Sequence, residues 1–391
     1  MISFDEAEKI VRDVPPMTTT ERISLSDSLF HVLAEDIIAD MNMPPFNKSA
    51  VDGFACRRED LNKPLKCTET IAAGSSSTSL VTEGNCSRIM TGAEVPGGAD
   101  CVIMLEDTQI NSEGHILFSA GKTSTNICYF AEDVKKGEKL LPAGTLLKPR
   151  HIPVLASMGY ALPKVFTKPT LGIICTGNEL VDPLQKPSIG QIRNSNGPQL
   201  EAQCKEIKIK TENFGIIPDS REQLANAIKL SVSKNVVSIV SGGVSVGDFD
   251  YAPEIIKELG FTIHFHGLNV KPGKRILFAS KNERYIFGLP GNPVSALVQF
   301  EMLVKPLLLK LQSCAEISGV EKRTLSEEYS IKNSSRMSFV PIVSSPDGTV
   351  KTTEYHGSAH IFVFASANGF MKVPEGINKI EKGSLVDVRL I

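Results

Sequence analysis

The sequence has no excess of one charge and no long apolar run. Charged residues make up 22% of its 391 residues, and the formal net charge is −2. A chain this close to neutral has no bulk attraction for nucleic acid or an anionic membrane surface, so local clusters must supply any anion binding. No apolar run reaches the about 18 residues that a membrane span requires. We therefore expect a cytoplasmic protein without nucleic-acid or membrane partners.

Several metal-binding and nucleotide-binding motifs are also missing. The eight cysteines include no CxxC pair, and several lie in apolar runs, so we interpret them as reduced core residues. The seven histidines include no HExxH motif. His264 and His266 alternate along a predicted strand, and we interpret them as ordinary strand residues. The absence of GxxxxGK[ST] and of a strand-coupled GxGxxG argues against a P-loop or dinucleotide fold.

The amino terminus predicts a helix. Ser3 and Glu6 have capping-box spacing, and Phe4, Ala7 and Val11 share one helical face. This pattern favours a folded element over a signal peptide.

The length predicts more than one domain, and the patterns divide the chain into four parts. Residues 1–43 and 135–164 are predicted to form a discontinuous helical linking domain around a β-rich insert at 44–134. Residues 165–312 alternate short β-rich runs with helical spacing, which predicts a mostly parallel sheet covered on both faces. Residues 318–391 are predicted to form a small antiparallel barrel, in which SSPDGT makes a hairpin turn.

Within the α/β part, the strand runs and helix signals are specific enough to name. The predicted strands are TLGIIC, VVSIV, FTIHF, RILFA and YIFG, and the predicted helices are SREQLANAIKL, APEIIKELG and VSALVQFEMLVKPLLLKL. Ser220 and Gln223 form a capping box, and Gly260 ends the second of these helices. Ligands of such sheets bind beyond the carboxyl ends of the strands.

Glycines and acids follow the strand VVSIV. Gly242 and Gly243 let the backbone turn sharply, and successive N–H groups there form an anion nest, to which Ser241 and Ser245 add hydroxyls. Carboxylates follow at Asp248 and Asp250, which favours a hard cation such as Mg²⁺ between them and a phosphate. The same stretch also fits a simple turn with an Asp helix cap.

Four further segments add to this chemistry. TGNEL and GQIRNSNGPQL offer side-chain amides and a helix start, which suit a ligand with a phosphate and a heterocycle. KPGKR places two lysines around a Pro-Gly turn, where both ammonium groups can reach one oxyanion. GLPGNPVSA is another anion-receptive helix start. TGNEL and GQIRNSNGPQL also fit ordinary capping and turn chemistry, and KPGKR also fits an exposed basic turn. The residues concerned are Thr176, Gly177, Glu179, Asn194, Ser195, Asn196, Lys271, Lys274, Gly288, Pro290, Gly291, Asn292 and Ser295.

Together with PPFNKSAVDGFA and MTGAEVPGGAD, these segments resemble the molybdopterin molybdenumtransferase family, the MoeA proteins and gephyrin E domains. The resemblance covers essentially the whole chain, in the family's order. It implies an elongated homodimer of four-domain subunits with a site between the α/β domain of one subunit and the insert of the other. It also implies Mg²⁺-assisted cleavage of adenylylated molybdopterin, with release of AMP and delivery of molybdenum from molybdate. Implied partners are molybdopterin adenylyltransferase, molybdopterin synthase, and molybdoenzymes or their chaperones.

The resemblance also implies roles for individual residues. The α/β loops would hold the pterin, phosphate and adenylate, with Glu179, Asp248 and Asp250 near Mg²⁺. The other residues carried over are Lys271, Lys274, Ser295 and Ser358 around molybdate, and Asp52, Thr91 and the acid Asp133 from the partner's insert. Asp219 matches a family acid too, although it equally fits a cap for the helix beginning at residue 221.

The chain departs from the family pattern at four places. Asn47 and Asn178 stand where an acid is usual, and Pro341 and Cys128 stand where an arginine is usual. Fewer carboxylates weaken Mg²⁺ binding, and fewer guanidinium groups weaken molybdate binding.

Two alternatives remain open. A molybdopterin adenylyltransferase shares the α/β domain, but it does not account for residues 1–164 and 322–391. The other alternative is a non-catalytic dimeric scaffold or diverged paralogue. Such a protein does not require both lysines of KPGKR.

Overall fold

The computed structural model describes residues 1–244, 250–315, 319–331 and 334–391. These residues divide into two compact units: the first contains 1–35, 144–149 and 162–391, and the second contains 36–143 and 150–161. The four-part division of the sequence stays a prediction. In the described part of the chain, no helix combines the length and the apolarity needed to cross a membrane.

Helices form where a cap precedes an apolar face. Helix α1 (Phe4–Arg12) has the predicted capping box, in which Ser3 Oγ accepts from Glu6 N and the Glu6 carboxylate accepts from Ser3 N. The other α-helices are α2 (Ile152–Ser157), α3 (Asn196–Glu206), α4 (Arg221–Lys234), α5 (Ala252–Glu258), α6 (Pro293–Gln299) and α7 (Lys305–Leu311). A π-helical turn, Phe300–Val304, joins α6 to α7. The 3₁₀ turns are Leu25–Asp27, Arg58–Asp60, Leu105–Asp107, Pro149–His151 and Ile361–Ala365.

The second unit contains a four-stranded sheet. Its strands are β1 (Gly53–Cys56), β2 (Lys66–Ile71), β3 (Asn85–Ile89) and β4 (Cys101–Met104), in the order β2-β3-β1-β4. Strands β2 and β3 are parallel and the other pairs antiparallel. The register places four cysteines side by side across the sheet, namely Cys67, Cys86, Cys56 and Cys101. All eight cysteines of the chain are free thiols, and six are buried, which confirms their interpretation as core residues.

The first unit is built around a six-stranded sheet. Its strands are β5 (Leu171–Thr176), β6 (Thr211–Ile217), β7 (Val237–Ser241), β8 (Thr262–His266), β9 (Leu277–Lys281) and β10 (Arg284–Leu289), in the order β6-β5-β7-β10-β9-β8. The first four neighbours in that order are parallel, and β10, β9 and β8 pair antiparallel. This arrangement confirms the predicted, mostly parallel α/β sheet.

Helices cover both faces of this sheet because its strands are apolar on both sides. Along β5, Ile173 and Cys175 pack in the cluster that contains Leu200 of α3, whereas Ile174 packs in the cluster that contains Ile228 of α4. Alternate residues of a strand point to opposite faces, which explains why a continuous apolar run is needed here. Full burial of such a side chain stabilises the fold by about 1.5–3 kcal/mol.

Strand β6 is the element of this sheet that the sequence patterns did not predict. Its sequence TENFGII is half polar, and Gly215 interrupts it with φ +78°. The strand lies at the sheet edge, paired with β5 alone, and the register shifts between Ile173 and Cys175. An edge strand has one exposed side, so its apolar signal is weak.

The carboxyl-terminal strands close into a five-stranded barrel, as predicted. They are β11 (Val320–Leu325), β12 (Met337–Ser344), β13 (Thr349–Thr352), β14 (Gly369–Val373) and β15 (Leu385–Leu390), and the ring runs β12-β13-β11-β15-β14 and back to β12. Four of these pairs are antiparallel, and β11 with β13 is parallel. The predicted hairpin turn is present, with Ser345 N donating to Thr349 O.

Short strands complete the two units. They are Thr20–Arg22, Ile37–Ile38, Lys48–Ser49, Thr108–Ile110, Ile116–Phe118, Ile127–Cys128, Lys139–Leu141, Lys164–Phe166, Leu180–Val181, Ile192–Arg193, Val270–Lys271, Tyr329–Ser330 and Lys379–Ile380.

Candidate functional site

A cavity of about 1020 Å³ lies at the carboxyl ends of the parallel strands β5, β7 and β10. This is the edge where parallel sheets bind ligands. Its walls include the loops after these strands, the segment that leads into α3, and Ala359, Ile361 and Phe362 from the barrel side. It brings together most of the α/β residues predicted from the sequence: Thr176, Gly177, Glu179, Asn194, Ser195, Asn196, Ser241, Gly242, Gly243, Asp250, Pro290, Gly291 and Asn292.

The loop after β7 lies directly against its neighbours because residue 242 is glycine. Gly242 has φ +94°, and a Cβ built there would lie 2.4 Å from Thr176 O. The N–H of Gly242 donates to Leu289 O at 3.1 Å. Any side chain at this position would push the ends of β5 and β7 apart. The predicted sharp turn is therefore present, at least as far as residue 244.

Asn196 joins three of the cavity loops. Its Nδ2 donates to Ser241 Oγ at 2.8 Å and to Gly291 O at 2.9 Å. The Oδ1 of the same side chain is buried without a partner. Next to it, Asn194 Oδ1 accepts from Gly197 N at 3.1 Å and so holds the first turn of α3. The amide side chains predicted to bind a ligand thus also fix the shape of the cavity.

Asp219 takes part in a network at the end of β5. Its two carboxylate oxygens accept from Thr176 Oγ1 and from Asn178 N, both at 3.1 Å, and Asp219 N donates to Asn178 Oδ1 at 3.1 Å. The alternative interpretation of Asp219 as a helix cap is wrong, because Ser220 caps α4 by accepting from Gln223 N. At the Asn178 departure, the side-chain oxygen thus contacts the backbone of Asp219.

Two of the predicted metal-binding acids line the cavity. Glu179 is exposed on the turn after β5, and Asp250 stands on the wall just before α5. Ser245 and Asp248 lie outside the described residues. Over the described ranges, no group of three or more His, Cys, Asp or Glu side chains is arranged to hold a metal ion.

The basic turn at 271–275 contributes an arginine to the wall, whereas the two predicted lysines are not lining residues. Arg275 lines the cavity. Lys271 is exposed and belongs to a short strand that pairs with β12 of the barrel, and Lys274 is half-buried. Arg275 was not predicted as a wall residue, because Lys271 and Lys274 flank the Pro-Gly turn and alone were expected to bind an anion. The position of Arg275 directly after this turn is the sequence feature that could have identified it.

A loop of the barrel reaches the helix start at α6. Asn292 Nδ2 donates to Ser358 Oγ at 2.9 Å, and Val294 N donates to Ser358 O at 3.1 Å. The neighbouring residue Phe362 lines the cavity with an 81% exposed side chain. Phe362 was not predicted from the sequence, because an aromatic residue in the apolar run IFVF has no pattern that distinguishes it from a core residue. Two predicted residues lie deeper, since Gly288 is within β10 and Ser295 is buried in α6.

The predicted residues of the insert belong to the second unit. Asp52 Oδ1 accepts from Thr91 N at 2.6 Å and from Thr91 Oγ1 at 2.9 Å. These bonds, the backbone one first, lower the pKa of Asp52 and keep its carboxyl group ionised. Asp133 is exposed, and its backbone N–H donates to Met43 O. The functional roles of Asp52, Thr91 and Asp133 stay predictions.

The remaining departures from the family pattern have ordinary structural surroundings. Asn47 Oδ1 accepts from Phe130 N at 2.8 Å. Pro341 is buried in β12, and Cys128 pairs with Lys48 in a two-stranded ladder.

Cys175 lines the cavity as a buried thiol. Burial raises its pKa to about 11, so the thiolate is scarce near neutral pH. The structure therefore gives no support for a cysteine nucleophile in this wall.

Family models match most of the chain. The MoeA N-terminal region (domain I and II) matches residues 2–159, the probable molybdopterin binding domain matches 172–310, and the MoeA C-terminal region (domain IV) matches 326–391.

Individual proteins are similar over the whole chain. A molybdopterin molybdenumtransferase of Staphylococcus epidermidis is 35% identical over 100% of this chain and 95% of its own length. One from Staphylococcus aureus is 34% identical over 98% of this chain and 94% of its own length. The molybdopterin biosynthesis moeA protein of Pyrococcus horikoshii OT3 has a solved structure with a TM-score of 0.84 and 27% identity, covering 100% of both chains.

Proposed function

The chain belongs to the molybdopterin molybdenumtransferase family, the MoeA proteins, and from this premise we propose that it inserts molybdenum from molybdate into molybdopterin. It is then an enzyme of molybdenum cofactor biosynthesis. The observation that carries the proposal is the cavity at the ends of β5, β7 and β10, formed by glycine-rich loops in a domain of the molybdopterin-binding type.

The walls of the cavity suit a ligand that is part anion and part heterocycle. Gly242 and Gly243 both have positive φ and no Cβ. The N–H of Gly242 donates to Leu289 O, so the N–H of Gly243 is the donor of this turn that we propose for an anion. Asn194 supplies a buried amide next to this loop, and Ile192 and Phe362 supply apolar surface. Such a wall binds a phosphate at one place and a flat ring at another.

Mg²⁺ fits as an ion shared with the substrate. Glu179 and Asp250 are oxygen ligands on the cavity wall, and Mg²⁺ in phosphate-binding sites takes one or two carboxylates together with substrate oxygens. Glu179 and Asp250 would hold the ion, with Asp248 as a third acid in this proposal. When bound, Mg²⁺ neutralises the phosphoanhydride and polarises it for attack.

We propose adenylylated molybdopterin as the substrate. An oxygen of water or molybdate attacks the phosphorus on the pterin side of the anhydride, the P–O bond from this phosphorus to the adenylate breaks, and AMP leaves with the electron pair. Two Mo–S bonds to the dithiolene sulfurs then form while one Mo–O bond breaks and that oxygen leaves as water with the two thiol protons, so molybdenum keeps its oxidation state. Lys271, Lys274, Ser295 and Ser358 are proposed to surround molybdate, because ammonium and hydroxyl donors match a tetrahedral dianion.

The pathway position follows from this substrate. A molybdopterin synthase and an adenylyltransferase must act before the protein, and molybdoenzymes or their chaperones must accept its product. We propose that the protein acts in the cytoplasm as a homodimer.

The test uses purified protein, adenylylated molybdopterin and molybdate. We expect AMP release that requires molybdate and stops when Mg²⁺ is chelated. ATP consumption with unmodified molybdopterin would instead identify an adenylyltransferase. Binding without turnover in either assay would identify a scaffold, and activity unchanged by a chelator would remove Mg²⁺ from the mechanism.

A further inference from the structure

We propose that Arg275 binds the phosphate oxygens of the molybdopterin ligand and is the principal cation of the cavity wall. This inference rests on the proposed function, and it adds to that function a phosphate contact that is separate from the molybdate contact proposed for Lys271 and Lys274.

The sheet register places Arg275 near the carboxyl end of the central strand β10. Leu277 of β9 pairs with Gly288 of β10 in an antiparallel ladder. Continuing this register by two residues places Arg275 beside Pro290, and both residues line the cavity. The arginine therefore stands at the carboxyl end of β10, next to the glycine-rich loop that follows it.

The guanidinium group of Arg275 is available to a ligand. Among the described residues it has no hydrogen-bond or ion-pair partner, whereas Arg193, the other lining arginine, donates from Nε to Pro183 O (3.1 Å) and Gln185 O (3.0 Å). A cation without a partner on the wall of a cavity is placed to meet an incoming anion.

The turn before Arg275 is fixed in position by a buried side chain. Gln299 is 0% exposed, and its Nε2 donates to Pro272 O at 3.1 Å and to Gly273 O at 3.4 Å. Gly273 has φ +96°, and a Cβ built there would lie 2.3 Å from Gln299 Nε2. The backbone that presents Arg275 is thus held against α6 before any ligand binds, which limits the conformational cost of binding.

An arginine at this position has a chemical consequence. Its planar fork donates two parallel hydrogen bonds to a phosphate, whereas a lysine acts as a single point charge. We therefore expect Arg275 to distinguish phosphate-bearing pterins from pterins without phosphate.

The test compares R275A, R275K and the control R284A, which removes an arginine at the other end of β10. Binding of adenylylated molybdopterin is measured by titration at several salt concentrations, and thermal unfolding checks that each variant is folded. We expect R275A to weaken binding about 10–100-fold, as for the loss of a charge-assisted hydrogen bond. We expect R275K to recover part of this loss and R284A to bind like the wild type.

The salt dependence separates a direct contact from a structural effect. If Arg275 contacts the phosphate, R275A must show a shallower dependence of log Kd on log salt than the wild type, by analogy with phosphate contacts elsewhere. Binding by R275A within twofold of the wild type overturns the inference, and so does weaker binding with an unchanged salt slope. If the wild-type protein does not bind adenylylated molybdopterin at all, the proposed function fails as well. If it binds and turns over normally, only the Arg275 assignment is in question.

Discussion

Asn196 donates a hydrogen bond to Ser241 Oγ across 2.8 Å and thereby connects the start of α3 to the end of β7. A second bond from the same Nδ2 reaches Gly291 O after β10. One buried side chain therefore connects three loops of the cavity that are about 50 residues apart in sequence.

The Asn196→Ala variant tests this role. Loss of buried hydrogen-bond partners should lower the free energy of unfolding by about 1–3 kcal/mol. Ligand binding should weaken too, because the loops lose their common anchor. Asn85→Ala is the control, since Asn85 makes a similar 2.8 Å bond to Thr82 Oγ1 at an exposed site. Equal effects of the two substitutions in urea unfolding would contradict the prediction.

The Gly242→Ala variant, compared with a control, distinguishes the cost of backbone strain from the cost of steric overlap. The left-handed conformation alone costs about 1–3 kcal/mol for a residue with a side chain. At Gly242 the new Cβ would also overlap Thr176 O, so stability and ligand binding should both fall further. Gly190→Ala is the matched control, because Gly190 has φ +84° with no atom within 4 Å of a built Cβ. A thermal unfolding curve of Gly242→Ala that matches this control would show that the loops tolerate the overlap.

The sequence predicted the strands of the α/β sheet, except β6, because buried strands need continuous apolar runs and glycines follow them. It also predicted most of the cavity wall, since the carboxyl ends of parallel strands meet at one edge. It did not predict that Arg275 rather than Lys274 lines the wall, because the direction of a side chain in an irregular turn depends on contacts such as that with Gln299. Strand β6 was missed for a different reason, namely that an edge position tolerates polar residues and a glycine.

The cysteines should differ sharply in reactivity. Cys67 and Cys128 are partly exposed, whereas the other six are buried. Burial raises the pKa of Cys86 and of Cys204 to about 12, which leaves little thiolate for alkylation. Iodoacetamide at pH 8 should therefore add two groups quickly and the remaining six only after unfolding in urea, as read by intact-protein mass. Rapid modification of Cys175 would contradict its interpretation as a core thiol.

Lys168 should make stability depend on alkaline pH. Burial, and next the charge of Lys208, lower the pKa of Lys168 to about 8, compared with about 10.4 in an unfolded chain. Between these values the unfolded chain binds more protons than the folded protein, so the contribution of this group to the free energy of unfolding rises with pH. Below about pH 8 the full cost of burying the charge is present.

Lys168→Met removes that cost together with the bond from Nζ to Ile207 O. The difference in the free energy of unfolding between the variant and the wild type should favour the variant more at pH 7 than at pH 10. Urea unfolding of both proteins at both pH values measures this difference. Lys229→Met, at an exposed position of α4, should show no such difference. A pH-independent effect of Lys168→Met would mean that the lysine is solvated in the folded protein.

A buried ion network joins the π-helical turn to the barrel. Glu301 is 1% exposed, and its carboxylate accepts from Gln203 Nε2 (2.9 Å), Lys305 Nζ (3.1 Å) and Arg389 Nε (3.2 Å). Glu301→Gln keeps the shape of the side chain but removes its charge, so two cations lose their shared carboxylate in the interior. We expect the free energy of unfolding to fall by about 3–5 kcal/mol, the usual cost of breaking a buried pair.

The exposed pair of Glu212 and Lys234, at 2.7 Å, provides the comparison. Glu212→Gln should cost only about 0–1 kcal/mol, because solvent screens this pair. The double variant Glu301→Gln with Arg389→Met then measures the coupling between the α/β domain and the barrel. If the effects of Glu301→Gln and Arg389→Met on the free energy of unfolding add in the double variant, the two residues act independently and the network does not connect the domains. Non-additive changes in the free energy of unfolding would show that Glu301 and Arg389 are coupled. The pair would then help to hold the barrel, together with Ser358 and Phe362, beside the cavity.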